Sequence, residues 1–152
     1  MTTAHADVRP RKRPLTIDQM LEAARAQYER MYAFQVPEAL ARGAILVDIR
    51  PQALRDSEGS LPGALAIERN VLEWRLDPAS SAHLALAVDH DVEWVIVCSE
   101  GYTSSLAAAA LQQLGLHRAT DVAGGYQALR AAGLLSVATG ATHFVRDTDI
   151  VA

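Results

Sequence analysis

The chain has a single cysteine, Cys98, which stands where an apolar run ends and a short polar loop begins. The loop contains Gly101, and an alanine-rich segment follows it. A compact loop between a strand and a helix can point its backbone N–H groups inward, and the helix N-terminus adds a positive dipole. Such a setting stabilises a thiolate, which is the nucleophilic form of the side chain. The sequence therefore favours a sulfur nucleophile at Cys98.

A second interpretation stays open from the position of Cys98 alone. A lone cysteine at a strand end is often a small, buried apolar residue that only fills space. The residues that follow favour the functional interpretation. Gly101 permits a backbone angle that other residues resist, and Thr103 and Ser104 supply small hydroxyl groups.

Composition limits the classes of protein that the chain can represent. It has 152 residues, of which 50% are hydrophobic, and this suits one globular domain with a core. No apolar run approaches the roughly 20 residues of a membrane helix, and no apolar signal segment is visible, so we expect a cytoplasmic protein with no membrane contact. One cysteine and five histidines without ligand spacing offer no metal site, and we expect none.

Charge is unevenly distributed along the chain. The net charge is −4, yet residues 1–13 contain four basic residues and one acidic residue. We expect residues 1–14 to form a flexible, solvated basic arm. A nucleic-acid partner is not expected, because it would need a basic folded face and the remainder of the chain is acidic.

A helix is predicted over residues 15–35, ahead of the first strand. Thr16 and Gln19 match a capping box at its start, and apolar residues recur at helical spacing as far as Met31. We expect this accessory helix to end near Phe34 and to pack on its own domain. The aromatic residues near its end could also support a homodimer.

Strand and helix segments alternate through the rest of the chain. Ile45–Val47 and Val92–Cys98 have the apolar character of strands buried on both faces, and Ser104 or Ser105 is expected to cap the alanine-rich helix. The pattern predicts an α/β fold with a central, mainly parallel sheet, helices on both faces and an extra N-terminal helix. Functional sites in such folds gather at the carboxyl ends of the strands, where Cys98 and Asp48 both fall.

Several short motifs, in a fixed order, resemble one known family. The loop Cys98–Ser104 fits a Cys-x-x-Gly-x-Thr-Ser pattern, and Gly124–Tyr126 fits a Gly-Gly-aromatic turn. Upstream, Asp48 and Arg50 fit an Asp-x-Arg strand end, and Glu58–Ala64 ("EGSLPGA") fits a Glu-Gly-x-x-Pro-Gly-Ala segment. Together these motifs resemble those of the rhodanese-like sulfurtransferase domain.

The resemblance implies a rhodanese-like domain over residues 36–135, followed by a C-terminal tail over residues 136–152. It implies that Cys98 takes a sulfane sulfur from a donor such as thiosulfate and passes it to cyanide or a thiol. No cofactor is needed for this chemistry. Asp48 and Arg50 would give structural support. The substrate-binding residues that it implies are Ser99, Glu100, Gly101, Tyr102, Thr103 and Ser104.

The loop also departs from the family pattern. It carries Glu100 and no lysine or arginine, so we expect weak activity with the thiosulfate dianion. Phosphatases of the Cys-x5-Arg type use a related loop, but Ser104 stands where their arginine would be. A non-catalytic domain that binds proteins or senses persulfides is the alternative to a transferase.

Overall fold

The computed structural model describes residues 12–140. Four strands alternate with six helices in this part of the chain. The strands are β1 (Ile45–Asp48), β2 (Leu65–Ala66), β3 (Trp94–Val97) and β4 (Thr120–Asp121). The helices are α1 (Ile17–Arg25), α2 (Val36–Ala41), α3 (Gln52–Glu58), α4 (Leu72–Leu76), α5 (Thr103–Gln113) and α6 (Gly125–Ala131). Short 3-10 turns span Ala33–Gln35 and Arg69–Val71.

The four strands form one sheet in the order β2-β1-β3-β4, and every pairing in it is parallel. In the central pair, Ile45 lies opposite Trp94 and Asp48 lies opposite Val97. The prediction of a mainly parallel α/β sheet is confirmed. Parallel order places the carboxyl ends of all four strands at one edge, and the loop that begins at Cys98 leaves from there.

The apolar strands separate two cores, one on each face of the sheet. Side chains alternate along a strand, so Ile96 and Cys98 lie in the core that contains α4 and α5. Val95 and Val97 face the core that contains α2 and α6. This double burial explains why β3 and the first three residues of β1 are continuously apolar. It also places the Cys98 side chain on the α5 side of the sheet.

The N-terminal helix begins as the sequence predicts and ends earlier. Thr16 and Gln19 form both hydrogen bonds of the capping box. The helix ends at Arg25, and the prediction that it continues to near Phe34 is wrong. The cause is tertiary: the Met31 N–H donates to the Asp121 carbonyl at 2.9 Å, which draws the chain into a parallel bridge beside β4.

Helix α1 packs against α5 of the same chain, with Leu21 and Ala24 buried between them. The homodimer stays a prediction.

Residues 1–11 of the basic arm and residues 141–152 of the predicted tail lie outside the described residues. Ala138, at the start of that tail, is buried in the α2 and α6 core. No helix within residues 12–140 is long and apolar enough to cross a membrane.

Candidate functional site

Strand β3 delivers Cys98 to the carboxyl edge of the sheet, and helix α5 begins after the loop 98–102. Cys98 as a whole residue is 4% exposed. Its Sγ accepts hydrogen bonds from the Gly101 N–H at 3.1 Å and from the Ser104 N–H at 3.4 Å. The loop therefore turns backbone N–H groups toward the sulfur, an arrangement that suits a negatively charged sulfur atom.

The N-terminus of α6 holds the rear of this loop. The Tyr126 N–H donates to the Cys98 carbonyl at 2.8 Å, and the Gln127 N–H donates to the Ser99 carbonyl at 3.1 Å. Helix α6 and the Cys98 loop approach each other so closely that a glycine is required on each of them, Gly125 in the helix and Gly101 in the loop. Gly101 has φ +86° and Gly125 has φ +58°, and a Cβ on Gly125 would overlap the Cys98 carbonyl oxygen.

A buried arginine supports the front of the loop. The Arg50 guanidinium pairs with Asp48 at 2.8 Å and with Glu58 at 3.2 Å, and it stacks over the Tyr126 ring at 3.9 Å. Glu58 in turn accepts a hydrogen bond from the Ser99 hydroxyl at 2.8 Å. Burial alone would lower the pKa of Arg50, but the hydrogen bonds that it donates to Asp48 and Glu58 and the negative charges of these carboxylates outweigh burial and raise that pKa.

A second buried carboxylate, Asp121 at the end of β4, supports the other side. It accepts hydrogen bonds from the Ser104 hydroxyl at 2.7 Å and the Ser105 hydroxyl at 2.9 Å. Tyr28 Oη donates to it at 2.7 Å, and Arg30 forms a salt bridge with it at 3.0 Å. The expectation that Ser104 or Ser105 caps α5 is wrong. Tyr102 is the N-cap residue, without a side-chain bond, and both serines lie within the helix.

Burial and neighbouring hydrogen-bond donors have opposite effects on the pKa of Asp121. Burial favours the neutral acid, but the hydrogen bonds from Arg30, Tyr28 and Ser104 outweigh it, so the pKa of Asp121 is lowered. The pKa of Tyr28 is raised, first by burial and then by its hydrogen bond to Asp121. The carboxylate therefore stays ionised and fixes the first turn of α5.

The sequence did not reveal Tyr28, Arg30 and Asp121 as part of the site. A charged residue at the end of a buried strand indicates that a partner must exist, because an unpaired buried charge is costly. Nothing in the local pattern says that the partner comes from residues 28–30. Only the docking of the N-terminal segment beside β4 brings them together.

A cavity of about 250 Å³ opens in front of Cys98. Pro51, Leu54 and Tyr102 give it an apolar mouth, and Glu100 contributes a carboxylate. The predicted residues Ser99 and Thr103 also line it, whereas Gly101 and Ser104 hold the sulfur from behind. A larger cavity of about 460 Å³ lies near the amino ends of the strands, away from Cys98. Within residues 12–140, no three His, Cys, Asp or Glu side chains could share a metal ion.

The comparisons with known proteins decide the family. The sequence model of the rhodanese-like domain matches residues 34–132, which is more than half of the chain. The chain belongs to the rhodanese-like domain family. No curated protein matches it.

Solved structures support the fold of this rhodanese-like domain. A rhodanese-related protein from Thermoplasma volcanium is 26% identical with a TM-score of 0.53, over 70% of this chain and 94% of that one. The rhodanese-like domain of an Anabaena protein is 20% identical with a TM-score of 0.51, and the match covers 68% of this chain and 74% of that one. A Rhodopseudomonas palustris protein, described as of unknown function and a "possible tyrosine phosphatase", is 29% identical with a TM-score of 0.71, over 83% and 97%.

The close contact between α6 and the Cys98 loop gives a stability prediction. Gly125→Ala should lower the free energy of unfolding by about 3 kcal/mol or more, because the new methyl group meets the Cys98 carbonyl at a positive φ. Gly133→Ala is the matched control, since Gly133 has φ +71° and open space around it. It should cost only about 1–2 kcal/mol. Urea unfolding of both variants measures the difference. Equal losses of unfolding free energy in the two variants would contradict the close contact between Gly125 and the Cys98 carbonyl.

The lowered pKa of Asp121 predicts a pH-dependent contribution to stability. The usual pKa of an aspartate such as Asp121 is 3.8. A carboxylate whose pKa is lower than this in the folded state stabilises the protein at any pH above the usual pKa. The stabilisation is lost as the pH falls from the usual pKa through the lower pKa of the folded state. Asp121→Asn should therefore lower the free energy of unfolding by about 3 kcal/mol near neutral pH, and by progressively less below pH 3.8.

Urea unfolding across this pH range tests the prediction on Asp121. Asp91→Asn serves as the control, because Asp91 is an exposed carboxylate paired with the exposed His117. It should change stability little. A penalty for Asp121→Asn that stays constant from neutral to acid pH would show that the charge of Asp121 is not what stabilises the fold.

Proposed function

We propose that this rhodanese-like domain is a sulfurtransferase in which Cys98 carries the transferred sulfur as a persulfide. The observation that supports it best is the convergence of the Gly101 and Ser104 N–H groups on Cys98 Sγ, beside a cavity that reaches the same residue. Backbone N–H groups fixed in this way stabilise a thiolate before the reaction and a terminal persulfide anion after it.

The proposed reaction has two displacements at sulfur. With thiosulfate, the Cys98 thiolate attacks the outer sulfur, a new S–S bond forms, the bond to the SO₃ group breaks and sulfite leaves. An acceptor such as cyanide or a thiolate then attacks the terminal sulfur of the persulfide. The Cys98 thiolate leaves with its electron pair, so no external oxidant, reductant or cofactor is required.

Charges at the mouth of the cavity favour a sulfur donor that is less charged than thiosulfate. The guanidinium of Arg50 is already paired with Asp48 and Glu58. Glu100 is exposed and lines the cavity, so the front of the site repels a dianion. The apolar side chains of Pro51 and Leu54 suit an organic persulfide.

A phosphatase function is the second candidate, suggested by the description of the Rhodopseudomonas palustris protein. Phosphatases with this type of loop need an arginine that clamps phosphate with two hydrogen bonds. Here Ser104 occupies that position and its hydroxyl is bonded to Asp121. The loop geometry therefore favours sulfur transfer. Turnover of an aryl phosphate that disappears in Cys98→Ser would reverse this preference.

Intact-mass measurement tests the proposed persulfide. After exposure to thiosulfate, an organic persulfide or mercaptopyruvate, the wild-type protein should gain one sulfur atom with at least one of them. Cyanide should then remove it. Cys98→Ala should gain none, because Cys98 is the only cysteine of the chain.

The control for this experiment is alkylation of the untreated wild-type protein, which shows that the thiol is free and accessible. If the thiol is alkylated but takes sulfur from none of the three compounds, the transferase proposal fails. That result would favour a non-catalytic domain that binds proteins. Sulfur uptake without release to any acceptor would favour persulfide sensing.

Glu100→Gln tests the role of charge at the cavity mouth. Removing this carboxylate should raise kcat/KM for thiosulfate by about two- to fivefold at low salt, and the gain should shrink as salt is added. An uncharged organic sulfur donor should show no comparable gain. Steady-state kinetics with both compounds measure the difference.

Asp89→Asn is the matched control, because Asp89 is an exposed carboxylate before β3 whereas Glu100 follows that strand. It should leave both rates unchanged. Equal gains for Glu100→Gln with charged and uncharged sulfur donors would show that the carboxylate acts by obstructing the cavity and not by repelling charge.

A further inference from the structure

The Cys98 loop is completed by residues that precede the rhodanese-like domain. The family match begins at residue 34. Arg25, at the end of α1, and Arg30, in the turn that follows, both reach back to the loop. Each donates a hydrogen bond from a terminal guanidinium nitrogen to the Gly101 carbonyl oxygen, at 2.9 Å and 2.8 Å.

The two arginines differ in what else they bind. Arg30 forms a salt bridge with Asp121, so its charge is balanced. Arg25 forms no ion pair within residues 12–140, and its other contacts are with the Ser105 hydroxyl at 2.9 Å and with the Tyr102 ring at 5.9 Å. Both of those residues belong to the loop or to the first turn of α5. Arg25 therefore brings a positive charge, without an ion pair of its own in this part of the chain, to the rear of a loop whose only charged residue is Glu100.

Fixing the Gly101 carbonyl also fixes the direction of a neighbouring N–H group. The peptide bond between Gly101 and Tyr102 is planar and trans, so its C=O and N–H point in opposite directions. With the oxygen held toward the arginines, the Tyr102 N–H points away from them. The two bonds thus fix a peptide group that lies in the chain between Gly101 and Ser104, whose own N–H groups face the sulfur.

We propose that Arg25 and Arg30 are positioning residues for the Cys98 nucleophile: both lock the Gly101 carbonyl at the rear of the loop, and Arg25 also supplies a positive charge that the loop itself lacks. The inference rests on the proposed function only in treating Cys98 as a nucleophile. It does not depend on which group Cys98 accepts.

Other charged groups around Cys98 act on the same thiol and must be considered in any pH profile. They come from the strand end, from α3, from the loop, from β4 and from the N-terminal segment. They are Asp48, Arg50, Glu58, Glu100, Asp121, Tyr28 and Arg30, with Asp18 and Glu22 beside Arg25. All of them are retained in Arg25→Met, so a change in its profile reports the loss of Arg25.

The rate of alkylation of Cys98 by iodoacetamide, measured against pH, tests the proposal without any sulfur donor. Arg25→Met should react about tenfold more slowly near neutral pH, because a charge-assisted hydrogen bond and a positive charge are lost, and the midpoint of its curve should move to higher pH. At high pH the rate should approach that of the wild type. Arg25→Lys retains the charge, and its midpoint should lie between the two.

Arg130→Met is the matched control for net charge, because Arg130 is exposed in the last turn of α6. Its alkylation curve should coincide with that of the wild type. Arg25 is the better position to change, since removing Arg30 would also leave the buried Asp121 without its cation. Urea unfolding of each variant verifies that the protein is folded.

Two results would overturn the proposal. One is an unchanged curve for Arg25→Met. The other is a rate reduced by the same factor at every pH, which would mean that the loop has moved without a loss of thiolate stabilisation. If the midpoint shifts in Arg25→Met but the wild-type protein takes up no sulfur from any donor, the transferase function fails and the positioning role stands.

Discussion

The convergence of backbone N–H groups on one sulfur atom is the constraint on which the rest of the site depends. A loop that turns its N–H groups inward must turn carbonyl oxygens outward, and each buried carbonyl needs a hydrogen-bond donor of its own. The N-terminus of α6 serves the Cys98 and Ser99 carbonyls. Two guanidinium groups serve the Gly101 carbonyl. The need to satisfy these outward-facing carbonyls therefore explains why α6 and the two guanidinium groups pack against the rear of the loop.

Two similar clusters hold the sides of the loop. On one side, Ser99 donates to Glu58, which is paired with Arg50. On the other, Ser104 donates to Asp121, which is paired with Arg30. Buried ion pairs contribute little net stability, because desolvation offsets their attraction, but a pair that loses one partner is strongly unfavourable. Such clusters favour one loop conformation over its alternatives.

The sequence predicts those structural features that depend on residues close together in the chain. The capping box at Thr16, the apolar strands and the glycine of the loop all follow from local preferences, and the structure has them. The end of α1 and the partners of Ser104 do not. Both depend on Asp121, whose backbone binds Met31 and whose side chain binds the serine. Contacts between residues so far apart in the chain are fixed by packing, which no local pattern records.

The single bridge at Met31 has a consequence for the sheet as a whole. Strand β4 lies at one end of the sheet order, and an unpaired edge strand can recruit a strand from another molecule and cause aggregation. The backbone of Met31 bonds Asp121 at 2.9 Å and Ala123 at 2.8 Å, and so occupies that edge. The segment that carries Arg25 and Arg30 therefore also covers the β4 edge of the sheet against intermolecular pairing, so one short stretch of chain both closes this end of the sheet and holds the Cys98 loop.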